Sequence, residues 1–302
     1  MRRLKKIDIH VHSNKTPGIP RNAAGDTFAT PEELRAMYDQ IGVEKGLLLP
    51  LIKMEASFDT ATTREYQEMY EAHRDWFYWF CNVDPHQGGN TPDADLSYFL
   101  NYYKERGARG VGEVCTNLPF DDPRMRNLFR HCQKCGMPVT IHIGVRYGEY
   151  GIVDSLGLPG LEKTLRDFPD LQILGHSQRF WSHISGDVNE KNWGGYPAGR
   201  VAPGGRIVEL MRKYPNLSCD LSAGSGYNAM SRDPEFAYGF MEEFQDRLYY
   251  GTDICAPSNI TNPMLKLAPF LDEAMENGNI SYTVYEKISR KNALKLLENP
   301  DK

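Results

Sequence analysis

Two histidines separated by a single residue lie in an apolar segment near the start of the chain, Ile7-Asp8-Ile9-His10-Val11-His12. Alternate side chains of a β-strand share one face, so Asp8, His10 and His12 are predicted to face inward and the apolar residues between them to face a helical shell. Neutral imidazole binds zinc, iron or manganese, and two imidazoles at the end of one strand can reach one cation. Two hydrogen-bonded core histidines would produce the same pattern, so this segment alone leaves both interpretations open.

Further ligand-type side chains stand at or near the ends of other β-rich segments. They are Glu113, His142, His176 and Asp253. The chain has eight histidines, and four of them fall at predicted strand ends. Because the carboxyl ends of the strands of a parallel barrel converge on one mouth, we predict a divalent metal site there. Asp220 ends another such segment and is expected only to line the mouth.

Eight β-rich segments alternate with helix-like segments from one end of the chain to the other. They lie at about 5–12, 46–51, 78–84, 109–115, 138–143, 171–176, 217–222 and 247–253. This pattern predicts an α/β fold, a (β/α)₈ TIM barrel formed by residues 1–302 as one domain. An open doubly wound sheet usually has a glycine-rich phosphate loop after its first strand, and this chain has His10-Val11-His12 there. Long loops at about 13–29 and 177–205 are predicted to border the active site.

The composition narrows the class of protein and its partners. The chain has 35 Lys+Arg and 40 Asp+Glu among 302 residues, a formal net charge of −5. This mild acidity is not typical of a nucleic-acid binder. No apolar run reaches the roughly 18 residues of a membrane helix, and the six scattered cysteines are expected to be reduced. We expect a cytoplasmic protein with a small-molecule substrate and no nucleic-acid or membrane partner, and a homodimer on the base rate of oligomers.

The ordered set of motifs resembles the amidohydrolase superfamily, in particular the amidohydrolase-related group that includes aminocarboxymuconate semialdehyde decarboxylase. The resemblance covers nearly the whole chain and is carried by Asp8-x-His10-x-His12, His142, His176, Gly251-Thr252-Asp253 and the closing Ser289–Ala293 segment. It implies that His10, His12, His142 and Asp253 bind a first metal ion. It also implies that His176 either binds a second ion or acts as an acid or base.

Glu113 departs from the decarboxylase-like members of this group, which usually lack a carboxylate on strand 4. Some binuclear hydrolases of the superfamily use a carboxylate there to bridge two metals, whereas a buried partner for an arginine such as Arg146 is the alternative. The resemblance implies zinc, as one or two ions, with manganese as the alternative metal. Our leading prediction is a hydrolase of an ester, lactone or amide of a small organic acid, which uses a metal-activated water with Asp253 as base. His176 would polarise a carbonyl group or protonate the leaving group. The alternative is a non-oxidative decarboxylase of an unsaturated or aromatic carboxylic acid.

Four residues after the strands are candidates for substrate binding. Arg146 and Arg179 follow the strands that end in His142 and His176, and arginine pairs with carboxylates through two hydrogen bonds. Each could instead be a loop cation paired with a neighbouring glutamate. Trp181 is predicted to form an apolar wall of the pocket or simply to pack its loop onto the barrel. His86 follows the third strand and either lines the mouth or belongs to an ordinary loop.

Overall fold

The computed structural model describes residues 2–51, 60–144 and 150–298, and the predicted substrate-binding residue Arg146 lies outside them. Within these ranges the strands are β1 (Lys6–Val11), β2 (Val43–Leu48), β3 (Phe77–Trp79), β4 (Val111–Val114), β5 (Val139–Gly144), β6 (Ile152–Val153), β7 (Ile173–His176), β8 (Leu217–Asp220) and β9 (Leu248–Tyr249). Each of the eight predicted segments overlaps one of these strands, and β6 is additional.

The strands run parallel in two sheets that share two seams. One sheet has the order β1-β2-β3 and the other β4-β5-β7-β8-β9, with β6 paired to β5. A parallel bridge between Cys81 and Val111 joins the end of β3 to β4, and a second bridge between Val11 and Ile254 joins β1 to the segment after β9. Apart from β6, the strands therefore follow one another around a ring in sequence order. The predicted TIM barrel is confirmed.

Helices connect the strands on the outside of the ring. They are α1 (Pro31–Ile41), α2 (Thr63–Ala72), α3 (Leu96–Lys104), α4 (Pro123–Cys135), α5 (Pro159–Asp167), α6 (Gln178–Trp181), α7 (Arg206–Lys213), α8 (Ala223–Ser231), α9 (Pro234–Phe244), α10 (Leu267–Glu276), α11 (Tyr282–Glu286) and α12 (Asn292–Glu298). Helix α1 begins with a capping box, because the side chains of Thr30 and Glu33 each accept a hydrogen bond from the backbone N–H of the other. Over the described ranges, none of these helices combines the length and apolar character that crossing a membrane requires.

An apolar cluster fills the barrel axis below the mouth. It joins side chains from β1, β2, β3 and β9 to Leu174 of β7 across the ring and is sealed by Ala293 and Leu297 of α12. Its other members lie in a strand or directly after one and are Ile7, Ile9, Leu47, Leu49, Phe80, Leu174 and Tyr249. We call this set the axis cluster. It is a packed core in the sense usual for TIM barrels, in which side chains rather than solvent occupy the centre.

The predicted alternation along β1 is wrong for the first half of the strand. Ile7 and Ile9 belong to the axis cluster, whereas Asp8 faces the helices and accepts a hydrogen bond of 2.7 Å from the Tyr38 hydroxyl of α1. The cause is a β-bulge. Asp8 pairs with Gly46 and Val11 with Leu48, so β1 has one more residue between these two pairs than β2 has. The extra residue brings the side chain after Ile9 back to the axis, so that both histidines of the motif reach the mouth.

Candidate metal centre

Six buried or partly buried ligand-type side chains converge at the carboxyl ends of the strands. His10 lies in β1 and His12 directly after it, Glu113 lies in β4, His142 in β5, His176 ends β7, and Asp253 follows β9. Each of these residues was predicted from the sequence as a metal ligand. Because the strands are parallel and neighbouring, the side chains meet in two groups that share Glu113.

The first group surrounds a single point between the two histidines of β1. Their Nε2 atoms are 3.0 Å apart, and Asp253 Oδ1 lies 3.5 Å from the Nε2 of His10 and 3.3 Å from that of His12. Glu113 Oε2 lies 3.7 and 3.6 Å from the same two nitrogens. A tetrahedral shell with metal–ligand distances of about 2.0–2.1 Å has edges of about 3.3 Å. The spacing of the two nitrogens and the Asp253 oxygen therefore fits one divalent cation, and Glu113 Oε2 lies close to both nitrogens.

Hydrogen bonds on the far side of each ring orient both imidazoles. His10 Nδ1 contacts Asp220 Oδ2 at 2.5 Å, and His12 Nδ1 contacts the Leu49 carbonyl oxygen at 2.8 Å. Because both acceptors require a proton on Nδ1, the Nε2 atoms present their lone pairs to each other. Two lone pairs at hydrogen-bond distance repel unless a positive charge lies between them, so this donor set is suited to a cation.

The pKa shifts of His10 and Glu113 also indicate that the first group favours positive charge. Burial lowers the pKa of His10, but the nearby carboxylates of Asp220 and Asp253 outweigh burial and raise that pKa well above its usual value. Burial likewise opposes the charge on Glu113, yet His142 and His10 hold its pKa well below the ordinary range. Opposite charges thus decide both shifts. The site stabilises a cationic centre surrounded by carboxylates.

The second group lies on the other side of Glu113. Glu113 Oε1 is 2.7 Å from His142 Nδ1 and 3.7 Å from His176 Nε2, and ligand atoms of the three residues lie within 4.8 Å of one another. The ring of Tyr150 covers His142, with centroids 4.2 Å apart. The two oxygens of Glu113 therefore face different histidine pairs. The sequence-based assignment of His142 to the first ion stays a prediction, although the structure places this residue with His176.

The backbone after β9 places Asp253 beside the two histidines. Its φ of 61° is left-handed, and its N–H donates to the His10 carbonyl oxygen at 2.8 Å. The preceding residue, Thr252, donates its N–H and its hydroxyl to the two oxygens of Asp8, at 2.9 and 2.6 Å. Asp8 therefore acts as a buried connection between β1 and the segment after β9, and it does not face the ligand groups.

Asp220, at the end of β8, is the residue whose role the sequence did not reveal. Its Oδ2 contacts the Nδ1 atoms of both His10 and His176, at 2.5 and 3.3 Å. Its side chain is fully buried. The sequence did show an acidic residue at the last position of a barrel strand, which indicates a place at the mouth. It does not show which imidazole ring that acid contacts.

The remaining predicted substrate-binding residues lie in different surroundings. The Arg179 guanidinium is 5.4 Å from the ring centroid of Trp193 within the long loop after β7. Trp181 is 2% exposed and donates its indole N–H to the Asp220 carbonyl oxygen at 2.9 Å, so it supports the wall of the barrel. His86 Nδ1 pairs with Asp84 at 2.5 Å. Their proposed contacts with substrate stay predictions.

Comparisons with known proteins agree with this fold and donor set. An uncharacterized TIM-barrel protein from Bordetella bronchiseptica is 18% identical, with a TM-score of 0.63 over 99% of this chain and 100% of that one. A probable 2-pyrone-4,6-dicarboxylic acid hydrolase from Acinetobacter baumannii with citric acid bound is 15% identical, with a TM-score of 0.60 over 98% and 100%. A dihydroxybenzoic acid decarboxylase from Polaromonas with bound manganese and the inhibitor 2-nitroresorcinol is 13% identical, with a TM-score of 0.54 over 98% and 97%.

At these identities the three structures establish a shared fold. No curated protein sequence matches this chain significantly. The model of the family described as Amidohydrolase matches residues 7–298, which is almost the whole chain and includes every residue of the two ligand groups. The family and the clustered His, Asp and Glu side chains together support a divalent metal. The chain is therefore an enzyme of the amidohydrolase superfamily.

Proposed function

We propose that the protein is a metal-dependent hydrolase that cleaves an ester, lactone or amide of a small organic acid and binds two zinc ions. The observation that carries this proposal is the position of Glu113. One carboxylate oxygen faces His10 and His12 at 3.7 and 3.6 Å, and the other faces His142 and His176 at 2.7 and 3.7 Å. A carboxylate in this position is suited to bridge two cations.

In this arrangement the chain would supply four ligands to the first ion and three to the second, with Glu113 common to both. His10, His12 and Asp253 would hold the first ion, and His142 and His176 the second. Bound divalent cations polarise a carbonyl group and lower the pKa of water from 15.7 to about 7. Imidazole and carboxylate ligands suit zinc, and manganese is the alternative in the same donor set.

Asp253 is the residue best placed to move the proton. Its side chain is 28% exposed, whereas those of His10, His12 and Glu113 are almost fully buried. A carboxylate oxygen of Asp253 accepts a proton from water as the water oxygen bonds to the substrate carbonyl carbon. The same proton passes to the leaving alcohol or amine as its bond to carbon breaks, so Asp253 acts as base and then as acid.

Substrate binding is proposed for groups around the same mouth. Arg179 and Arg146 would pair with a carboxylate of the substrate. His86 would line the mouth, and Trp181 would form an apolar wall of the pocket. The Tyr150 ring is 41% exposed where it covers His142. An acidic organic substrate with an apolar part is consistent with this combination.

The decisive experiment measures metal content together with reaction type. Protein purified without chelator is reloaded with zinc, and metal per chain is determined by plasma mass spectrometry. We expect close to two ions in the wild type, close to one in Glu113→Gln, and hydrolysis within a panel of esters, lactones and amides. One ion in the wild type, together with release of CO₂ from unsaturated or aromatic acids and no hydrolysis, would refute the proposal.

A decarboxylase is the second candidate, and one observation favours it. The ligand atoms of His10, His12 and Asp253 already surround one point, and Glu113 Oε2 lies 3.7 and 3.6 Å from the two imidazole nitrogens. If a single ion satisfied the centre, His176 would remain a proton donor held by Asp220 and Ser222, at 3.3 and 3.1 Å. Its imidazole would then protonate the carbon from which CO₂ departs, with the substrate carboxylate held at the ion.

A further inference from the structure

Two carboxylates lie on opposite sides of the same pair of imidazoles. Glu113 faces the Nε2 atoms of His10 and His176, each at 3.7 Å. Asp220 Oδ2 faces the Nδ1 atoms of the same residues, at 2.5 and 3.3 Å. The two rings lie against each other, with centroids 4.4 Å apart. The four side chains thus form a closed cycle in which each imidazole joins one carboxylate to the other.

Asp220 is itself held firmly at the end of β8. Its Oδ1 accepts the N–H of Ser222 at 2.8 Å, and its backbone carbonyl oxygen accepts the indole N–H of Trp181 at 2.9 Å. The side chain is fully buried, so it has no room to follow a ring that rotates. Because Oδ1 is occupied by the backbone, Oδ2 is the oxygen that meets both imidazoles.

We propose that Asp220 is a positioning residue that couples the two halves of the metal centre. A single oxygen fixes His10 in the first group and His176 in the second, and so sets the direction and spacing of their Nε2 atoms. The inference rests on the proposed two-ion function. It assigns to Asp220 a role that neither the sequence motif nor the family match assigns, since Asp220 is not itself one of the proposed ligands.

The two imidazoles depend on Asp220 to different degrees. His176 Nδ1 also contacts Ser222 Oγ at 3.1 Å, whereas among the described residues Asp220 is the one hydrogen-bonding partner of His10 Nδ1. Loss of a hydrogen-bonding partner behind a metal ligand typically lowers metal affinity about 10–100-fold. Removing the Asp220 charge should therefore weaken the first ion strongly and the second ion less, while removing the Ser222 hydroxyl should weaken only the second.

The test is a zinc titration of the metal-free full chain in four forms. These are the wild type, Asp220→Asn, Ser222→Ala and the control Asp154→Asn, which alters a buried carboxylate that accepts the backbone N–H groups of Gly160 and Leu161. We expect Asp220→Asn to lower the affinity for the first ion about 10–100-fold and that for the second by a smaller factor. Ser222→Ala should affect one ion only, and the control neither.

A second measurement detects the protonation of the imidazoles directly and does not require activity. Long-range ¹⁵N–¹H NMR of the ¹⁵N-histidine-labelled protein distinguishes Nδ1–H from Nε2–H for each of the eight histidines, with His10→Gln and His176→Gln used for assignment. Protons on Nδ1 of both His10 and His176 are expected in the zinc-loaded wild type. A proton on Nε2 in either ring, or unchanged zinc affinity in Asp220→Asn, would overturn the inference.

The outcome separates this inference from the proposed function. A wild type that binds two ions with the expected variant pattern but hydrolyses no substrate refutes the hydrolase and leaves the role of Asp220 standing. A wild type that binds two ions and hydrolyses its substrate, with no change in either affinity in Asp220→Asn, supports the hydrolase and refutes the coupling. Equal weakening of one ion by Asp220→Asn and Ser222→Ala also refutes it.

Discussion

The axis cluster and the metal centre lie in the same barrel, and both are largely buried, but one consists of apolar side chains and the other of ionisable ones. The axis cluster contains apolar side chains that pack without any partner outside the chain. The metal centre brings three carboxylates and four imidazoles out of water within a few ångströms of one another. Burial stabilises the first region, at about 25 cal/mol per Å² of apolar surface. In the second region burial costs free energy unless a cation and hydrogen bonds compensate for it.

The β-bulge in β1 is where the two regions meet. Ile9 belongs to the axis cluster, and the next residue, His10, belongs to the metal centre. A regular strand would direct these consecutive side chains to opposite faces. The extra residue between Asp8 and Val11 lets both face the axis. One strand therefore contributes apolar side chains to the axis cluster and, directly after them, a ligand to the metal centre.

The largest expected effect comes from the exposed side of the metal centre. Asp253→Asn keeps the size of the side chain but removes the charge and the basic oxygen, and we expect kcat/KM to fall at least about 10³-fold. The melting temperature of the metal-free variant should stay within a few degrees of the wild type. Steady-state kinetics and thermal unfolding check both statements.

Asp26→Asn provides the matched control for this substitution. Asp26 is a carboxylate of the loop after β1 and accepts a hydrogen bond of 2.9 Å from Ser258. Its loss should leave kcat/KM within a factor of a few. Retained activity in Asp253→Asn, or an equal loss in the control, would contradict the assigned role of Asp253.

The opposite result is expected in the axis cluster. Ile9→Ala leaves a cavity in a packed layer, and we expect the free energy of unfolding to fall by about 3 kcal/mol. Zinc stoichiometry should not change, because the ligands above the bulge keep their own hydrogen bonds. Denaturant unfolding and metal analysis measure the two quantities on the same preparation.

Ile19→Ala controls for the loss of an isoleucine side chain as such. Ile19 lies in the loop after β1 and is 64% exposed, so its truncation should change the free energy of unfolding by less than about 0.5 kcal/mol. Loss of zinc in Ile9→Ala at full stability would show that the axis cluster and the metal centre are not separable.

The sequence was most informative where the type of a residue and its place at a strand end together determine its role. Although the sequence assigned His142 to the first ion, histidines and acids at the ends of parallel strands must meet at the mouth, so the six ligand-type residues could be predicted from their places in or after β1, β4, β5, β7 and β9 without coordinates. Three features could not. The bulge depends on how β1 pairs with β2, the role of Asp220 depends on which rings it faces, and Trp181 was a candidate for the pocket because sequence does not report burial.

The position of β2 shows the same limit on a smaller scale. The β-rich run predicted a strand at 46–51, and the structure places it at Val43–Leu48. The leucine-rich run on which the prediction rested extends past the end of the strand. Just beyond that end, the Leu49 carbonyl oxygen accepts a hydrogen bond from His12 Nδ1 at 2.8 Å. Leu49, which was predicted to lie in the strand, thus orients a ligand of the metal centre through its backbone carbonyl oxygen. The residue type does not reveal this contact.

The smallest expected effect lies at the connection between the two regions. Tyr38→Phe fills the same volume but removes the 2.7 Å hydrogen bond to Asp8, and leaves the three bonds that Asp8 accepts from Thr252 and from the His10 N–H. The cost should be about 1–2 kcal/mol in the free energy of unfolding, with zinc stoichiometry unchanged. Tyr98→Phe, on a side chain that is 71% exposed, is the control and should cost nothing measurable. A Tyr38→Phe variant that folds normally but loses zinc would mean that Asp8 positions the ligands directly, and that the boundary between the stabilising and the metal-binding part of β1 lies at Asp8, where the bulge begins.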